Sequence, residues 1–474
     1  MAASLGRGTL YLMLAQGVFL ASGYLVHAGL GRILGPQQYG TFGVVIALVT
    51  IFNLLLTSGF PLAASRYTAM HPRNLGGIKK AAEKILLPAA ASVFLLYFSL
   101  ADTIALMLGD RSLAPYIRIS AFIIPIYAIF TLHTGLLNGL REYGKQAKSQ
   151  LTYNTAKVAG VFTFVLLGYS VSGALAGFAL APLAGLIIAR HYLGRLPPPD
   201  PFPPRRLLSF ALPLIAFTVT LQALLSLDLL LVKRLISGEE VGYYTAAANL
   251  AKIPYIMLSA LGAAVFPAIA GSGSSSRITL RYIRESFRYL LLLLLPATIL
   301  LSAASRHVVS LFYSPRYLAA ADPLSILVAG WGLFSLFSLL TTGINATGGV
   351  RATLLLTLPL LPLALFANLV LIPEYGMRGA AISTTITGAA GLLMVTAYLV
   401  FRYRALPFRL LSTLKITAAA AIMYAAAGVI SSHAAYALLG YPLLLTLYLM
   451  LLHLTGELTE KDIRLVAIKT HRGR

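Results

Sequence analysis

Two lysines stand where a charge is expensive. Lys157 lies in a long apolar run with Gln150 and Asn154, and Lys252 lies in another with Thr245 and Asn249. In each set the residues fall at i, i+4 and i+7, which brings side chains to one face of a helix. At 1.5 Å per residue, Lys157 is expected roughly 15 Å inside its run, near the middle of a bilayer. Ionisable groups at that depth usually face a protein interior or a watery path and are functional candidates by default. An ammonium group in a low-dielectric cavity attracts phosphate, and amides and hydroxyls beside it can bind sugar hydroxyls. The alternative is a lysine paired with a buried carboxylate or with helix carbonyls, which merely locks helices together. Pro254, two residues after Lys252, would free a backbone carbonyl and bend its helix.

Asp228 is the most conspicuous carboxylate in an apolar run, and His27 occupies almost the equivalent place in the first run. Such groups can relay protons or hold sodium, so Asp228 is a coupling candidate. Pairing with Arg234, Lys233 or Arg32 nearby is the simpler role. Gln16, Gly23 and His27 share a face of the first run, and Asn53 of the second could join them in lining a cavity; each alone is also a common helix–helix hydrogen bond.

The elements that carry these residues are membrane spans. The chain has 474 residues, 58% hydrophobic and only 11% charged, whereas soluble domains carry about 25% charged residues. Runs such as Tyr289 to Leu301 show none of the alternation of a β-barrel strand. The fold class is therefore all-α and polytopic, with about fourteen transmembrane helices expected at 9–33, 41–63, 83–108, 114–137, 147–168, 171–192, 207–233, 241–269, 287–305, 318–344, 351–372, 377–401, 411–431 and 434–453. The first apolar run, Thr9 to Leu34, is too long for a signal-peptide core and reads as a span.

Basic residues favour alternate loops. One side gathers groups such as Arg73, Lys79, Lys80 and Lys84, or Arg277, Arg281, Arg284 and Arg288, while the other holds only scattered ones such as Arg111 and Arg316. By the positive-inside rule both termini are expected in the cytoplasm of a multi-pass cell-membrane protein. The net charge of +23 is then a topology signal and an attraction to anionic membrane lipids, with no nucleic acid needed. With no cysteine, disulfides and thiolate metal sites are excluded. No metal or cofactor is expected.

The proline-rich stretch Pro197 to Pro204 divides the chain into two halves that resemble each other. Arg32 to Phe42 aligns with Arg234 to Tyr244, Asn138 with Asn345, and Tyr169 with Tyr375, at offsets between 202 and 207. An even number of spans per half gives two parallel six-helix pseudo-repeats, plus two extra C-terminal helices. The expected organisation is a lobe at 1–195, a linker at 196–206, a second lobe at 207–405, two further helices at 406–455 and a basic tail at 456–474.

The segment Gly31-Arg32-Ile33-Leu34-Gly35-Pro36-Gln37-Gln38-Tyr39-Gly40 resembles the R-x-L-G-P-x-x-Y-G signature of the polysaccharide-export flippases, whose superfamily also holds multidrug extruders and lipid II flippases. Gly35, Pro36 and Gly40 suit a tight turn between helices. Arg32 is either an interfacial anchor or a phosphate contact at the outer mouth. The resemblance implies a monomeric transporter rather than an enzyme, moving a lipid-linked glycan by alternating access with the site between two lobes, with glycan polymerase or ligase machinery as candidate partners. It makes Lys157, Lys252, Asn154, Gln150, Asn249, Thr245, Arg32, Arg234, His27 and Asn53 the candidate substrate contacts.

Two rival functions fit less well. A cation-coupled drug extruder should carry deep acidic residues in its N-terminal half, and the first, second, fourth, fifth and sixth spans have none. A membrane-embedded glycosyltransferase needs paired acids on an outer loop; Asp110, Glu239, Glu240 and Glu374 form no Asp-x-Asp-like pair. No Walker-type phosphate loop is present.

Overall fold

The computed structural model describes residues 2–194, 200–236, 238–270, 276–430 and 434–458. Part of the expected linker (residues 196–199), Ser237 and most of the basic tail (residues 459–474) lie outside the described residues. All regular structure among the described residues is helical. The principal helices are α1 (Ala2–Thr57), α2 (Phe60–Met70), α3 (Leu75–Ser99), α4 (Ala101–Met107), α5 (Ala114–Ala121), α6 (Ile123–Gly139), α7 (Tyr143–Phe164), α8 (Ser170–Leu193) and α9 (Pro204–Leu235). They continue with α10 (Glu240–Ala270), α11 (Ser276–Ala303), α12 (Ser305–Phe312), α13 (Ala321–Ala346), α14 (Val350–Thr357), α15 (Leu360–Tyr403), α16 (Leu410–Ile430) and α17 (Ala434–Leu454).

Among the described residues, nine helical stretches are long and apolar enough to cross a membrane. Three of these, Leu14–Met70, Tyr143–Leu193 and Val350–Tyr403, run to 57, 51 and 54 residues, more than twice the roughly twenty that a bilayer requires. Each is broken by left-handed backbone. Gly35 (φ 73, ψ 173) interrupts α1 just before Pro36, where glycine alone is comfortable. Ser170 (φ 49, ψ −133) opens α8, and Gly376 (φ 57, ψ −135) interrupts α15.

Ser170 and Gly376 share one backbone conformation and flank the aligned Tyr169 and Tyr375. A second correspondence lies at the aligned asparagines. Asn138 Nδ2 donates to Gln146 Oε1 at 2.9 Å, and Asn345 Oδ1 accepts from Thr353 Oγ1 at 2.7 Å, each pair eight residues apart.

The chain forms two compact units, Met1–Ala246 with Ala364–Met377, and Ala247–Leu363 with Arg378–Arg474. In the first, α7 packs along α8 and α1 packs against α7 and α9. Its core includes the fully buried rings of Tyr39, Phe42 and Tyr97. In the second, α11 packs on α13 and α16, and α16 on α17. Glu457, just beyond α17, ties these helices together: it accepts from Arg288 of α11 at 3.2 Å and from Ser412 of α16 at 2.5 Å.

Candidate functional site

The first unit encloses a cavity of about 390 Å³ between α1, α6, α7 and α8. Phe19, Gly23 and His27 reach it from the first part of α1, Thr50 and Asn53 from the second, and Tyr153 and Lys157 from α7. Lys157 is 3% exposed. Its ammonium lies 5.2 Å from the ring centre of Phe19, 5.4 Å from Tyr153 and 5.8 Å from Phe178, and 3.4 Å from Asn154 Oδ1. Ring faces carry negative potential and stabilise a desolvated cation without neutralising it. Among the described residues no carboxylate lines this cavity, so the carboxylate-lock alternative does not describe Lys157.

Hydrogen-bonding capacity is left over around it. Asn154 Oδ1 also accepts from Ser22 Oγ at 3.3 Å, whereas Asn154 Nδ2 and Asn53 Oδ1 are buried with no partner among the described residues. An uncompensated cation beside spare amide groups and hydroxyls can hold an anionic, hydroxyl-rich guest. Gln150, Arg32 and Arg234 do not line this cavity, and Arg32 and Arg234 are exposed.

The second unit repeats the theme on a smaller scale. The Lys252 ammonium lies 4.9 Å from the Trp331 ring centre, and Tyr255 packs edge-on against the same indole. Tyr255, Ser335, Ser338 and Thr342 line an adjacent small cavity of about 30 Å³. Thr245, expected on the Lys252 stripe, is instead a packing residue: it is buried, its hydroxyl donates to Val241 O at 2.7 Å, and its methyl meets Gly43. Asn249 has partners of its own and lines no described cavity.

The two polar residues at equivalent depths of the first and seventh expected spans each meet a tyrosine. His27 Nδ1 lies 3.0 Å from Tyr39 Oη, and Tyr244 Oη donates to Asp228 Oδ2 at 2.7 Å. Of the basic partners the sequence offers Asp228, Lys233 is taken by Asp110 at 2.6 Å. The aromatic cage was not foreseen; Tyr153, four residues before Lys157 on the same face, was the available signal.

A multi-pass helical protein of this architecture has known counterparts. A structure of the lipid II flippase MurJ in an inward closed conformation matches with a TM-score of 0.75 at 14% identity, covering 94% of this chain and 97% of that one. An inward-facing multidrug resistance MATE transporter matches with a TM-score of 0.71 at 13% identity, over 84% and 98%. The protein therefore has the fold of these two structures. In sequence, residues 5–272 match the family described as "Polysaccharide biosynthesis protein", and the chain belongs to that family. A Shigella flexneri protein named "Putative O-antigen transporter" is 24% identical over 75% of this chain and 88% of its own length. The uncharacterized membrane protein YabM of Bacillus subtilis is 28% identical over 40% and 36%. The likeness to polysaccharide-export flippases read from residues 31–40 is borne out.

Proposed function

We propose that this protein carries a lipid-linked oligosaccharide, joined to its lipid through phosphate or pyrophosphate, from the cytoplasmic to the outer leaflet. One observation carries this reading: the Lys157 ammonium is buried on three aromatic faces in a cavity lined by Asn53, whose amide oxygen is uncommitted, and by no carboxylate among the described residues. Such a group attracts phosphate, while the amides and hydroxyls take sugar hydroxyls. The other unit holds a second cation, Lys252, against the ring of Trp331. A cation-coupled extruder would want a carboxylate in that cavity, and none lines it.

The chain crosses the membrane fourteen times in this proposal: the nine apolar stretches supply twelve crossings, because those broken at Gly35, Ser170 and Gly376 each contain two, and α10 and α17 add one each. The paired geometries at Asn138/Asn345 and Ser170/Gly376 support two parallel repeats, spanning 1–195 and 207–405, that alternate access to one path. Both termini and the Pro197–Pro204 linker face the cytoplasm. Labelling of Asp200→Cys by an impermeant reagent from outside the cell would reverse that orientation.

Proteoliposomes loaded with lipid-linked glycan test the function. The purified protein should expose the glycan of inner-leaflet lipid to an external lectin, and Lys157→Gln should slow that exposure at equal folded protein. Equal rates with and without the protein would reject the proposal.

A further inference from the structure

A second cavity in the first unit, of about 370 Å³, shares no lining residue with the Lys157 cavity. Both copies of the signature turn enclose it, through Gln37 and Thr41 in one and Arg234 and Gly238 in the other, together with Asp110 and Ser112 of the turn between α4 and α5. Its volume falls in the range of small-molecule sites, about 300–1,000 Å³.

The hydrogen bonds decide what it can accept. Asp110 is fully used: Oδ1 accepts from Ser112 N at 3.0 Å and Ser112 Oγ at 2.6 Å, and Oδ2 accepts from Lys233 Nζ at 2.6 Å. A metal ion would have to displace Lys233. Arg234 lays its guanidinium across Gly109, where a Cβ would come within 2.9 Å of it, and makes no ion pair among the described residues. That glycine has φ 74 as well, so both the turn and the arginine depend on it. The Gln37 amide is also uncommitted, and the Thr41 hydroxyl, which donates to Gln37 O at 3.3 Å, keeps its lone pairs.

Phosphate is poorly served here. Asp110 neutralises Lys233, and Glu239 and Glu240 follow Arg234 in the same turn without lining the cavity. A lipid tail is poorly served too, because the lining is mainly polar side chains and turn backbone. What remains is a planar guanidinium, a planar amide and hydroxyl acceptors, which match adjacent hydroxyls on a sugar ring.

We infer that this cavity binds an uncharged sugar residue of the transported glycan at the outer end of the path, with Arg234 and Gln37 donating to its hydroxyls. The inference rests on the flippase reading and its topology, and adds a sugar contact that shares no lining residue with the Lys157 cavity.

The test uses the full-length protein in nanodiscs, with Arg111→Cys as the only cysteine and an environment-sensitive fluorophore attached beside the cavity. Free glucose, galactose and N-acetylglucosamine are titrated, with inorganic pyrophosphate and Ca²⁺ as charged probes. At least one sugar should give a saturable response that Arg234→Ala and Gln37→Ala each weaken about tenfold, the loss of roughly one hydrogen bond. Both Arg234 and Gln37 are exposed, so their truncation tests contact rather than folding. Absence of any saturable sugar response, or one indifferent to both substitutions, overturns the inference. So does a pyrophosphate response that Arg234→Ala abolishes, or a Ca²⁺ response that Asp110→Asn abolishes. If wild-type protein flips lipid-linked glycan in liposomes yet ignores sugars here, only this site falls; if it binds sugars but flips nothing, only the flippase reading falls.

Discussion

Tyr244 donates its hydroxyl to the buried carboxylate of Asp228 at 2.7 Å. The bond joins the end of α9 to the start of α10 across the second signature turn, much as His27 and Tyr39 join the two parts of α1 across the first. We propose that a carboxylate held in this way acts as a structural latch. Tyr244→Phe withdraws a donor from a buried charge and should cost about 1.5–3 kcal/mol, read as a lower melting temperature of the detergent-purified protein. Asp228→Asn keeps an oxygen for Tyr244, and its transport per folded molecule should still respond to whatever gradient drives the wild type. Well-folded Asp228→Asn that has lost that response would make Asp228 a coupling group instead.

Lys157 is expected to separate folding from binding. Removing one partner of a buried ion pair strands the other and costs about 3–5 kcal/mol. Here no carboxylate would be stranded, so Lys157→Gln should yield normal amounts of folded protein while weakening substrate binding tenfold or more. Lys157→Glu should be worse in both respects, because it turns an anion toward the negative faces of Phe19, Tyr153 and Phe178. Binding of lipid-linked glycan, normalised to folded protein, checks both variants. Wild-type affinity in both would remove the cationic-cavity mechanism.

The burial of Lys157, the absence of acids lining its cavity among the described residues and the helix break at Gly35–Pro36 were legible in the sequence, because each depends on local spacing or on one residue's backbone preference. His27 and Asn53 do share the cavity with Lys157, as their helical faces suggested. The cage around Lys157 was not legible, since Phe19 and Phe178 come from α1 and α8, far away in sequence. Asp228 illustrates the same limit: local spacing shows basic residues near it but is silent about the phenol of Tyr244, which the packing of the next helix brings to its carboxylate. Thr245 shows that helical periodicity is silent about which faces are pressed against backbone.

At the second signature turn, Asp110 gives a pH prediction. Burial opposes its charge, but hydrogen bonds from Lys233 and Ser112 and the Lys233 charge outweigh it and hold the carboxyl below its usual value. With the folded value below the unfolded one of about 3.9, the carboxylate's stabilisation is complete above the unfolded value and is lost as pH falls through the folded one. The difference in melting temperature between wild type and Asp110→Asn should therefore be flat from neutral pH to about 5 and shrink only below about 4. The effect should be small, since the pair is partly exposed and screened by solvent. A difference that changes between pH 6 and 8 would point to another group.

The two signature turns meet glycine to glycine, and this contact predicts an asymmetric pattern of rescue. A Cβ on Gly40 would lie 2.6 Å from Gly242 N, one on Gly242 would overlap Pro36 O, and one on Gly43 would overlap the Thr245 methyl. The pairs 40/242 and 43/245 occupy aligned positions of the two halves, so the repeat packs against itself here. Gly242→Ala collides with backbone that no rotamer can move, so α10 must shift, at an overpacking cost of about 1–3 kcal/mol. Gly43→Ala collides with the side chain of Thr245 alone, most severely with its methyl and less so with its hydroxyl oxygen at 2.9 Å, on a β-branched residue whose rotamers are restricted. Adding Thr245→Ser removes that methyl and keeps the hydroxyl that donates to Val241 O. The double variant Gly43→Ala with Thr245→Ser should therefore regain most of the melting temperature lost in Gly43→Ala, while Thr245→Ser should do nothing for Gly242→Ala. Equal rescue of both, or rescue of neither, would show that the helices do not approach as closely as these contacts require.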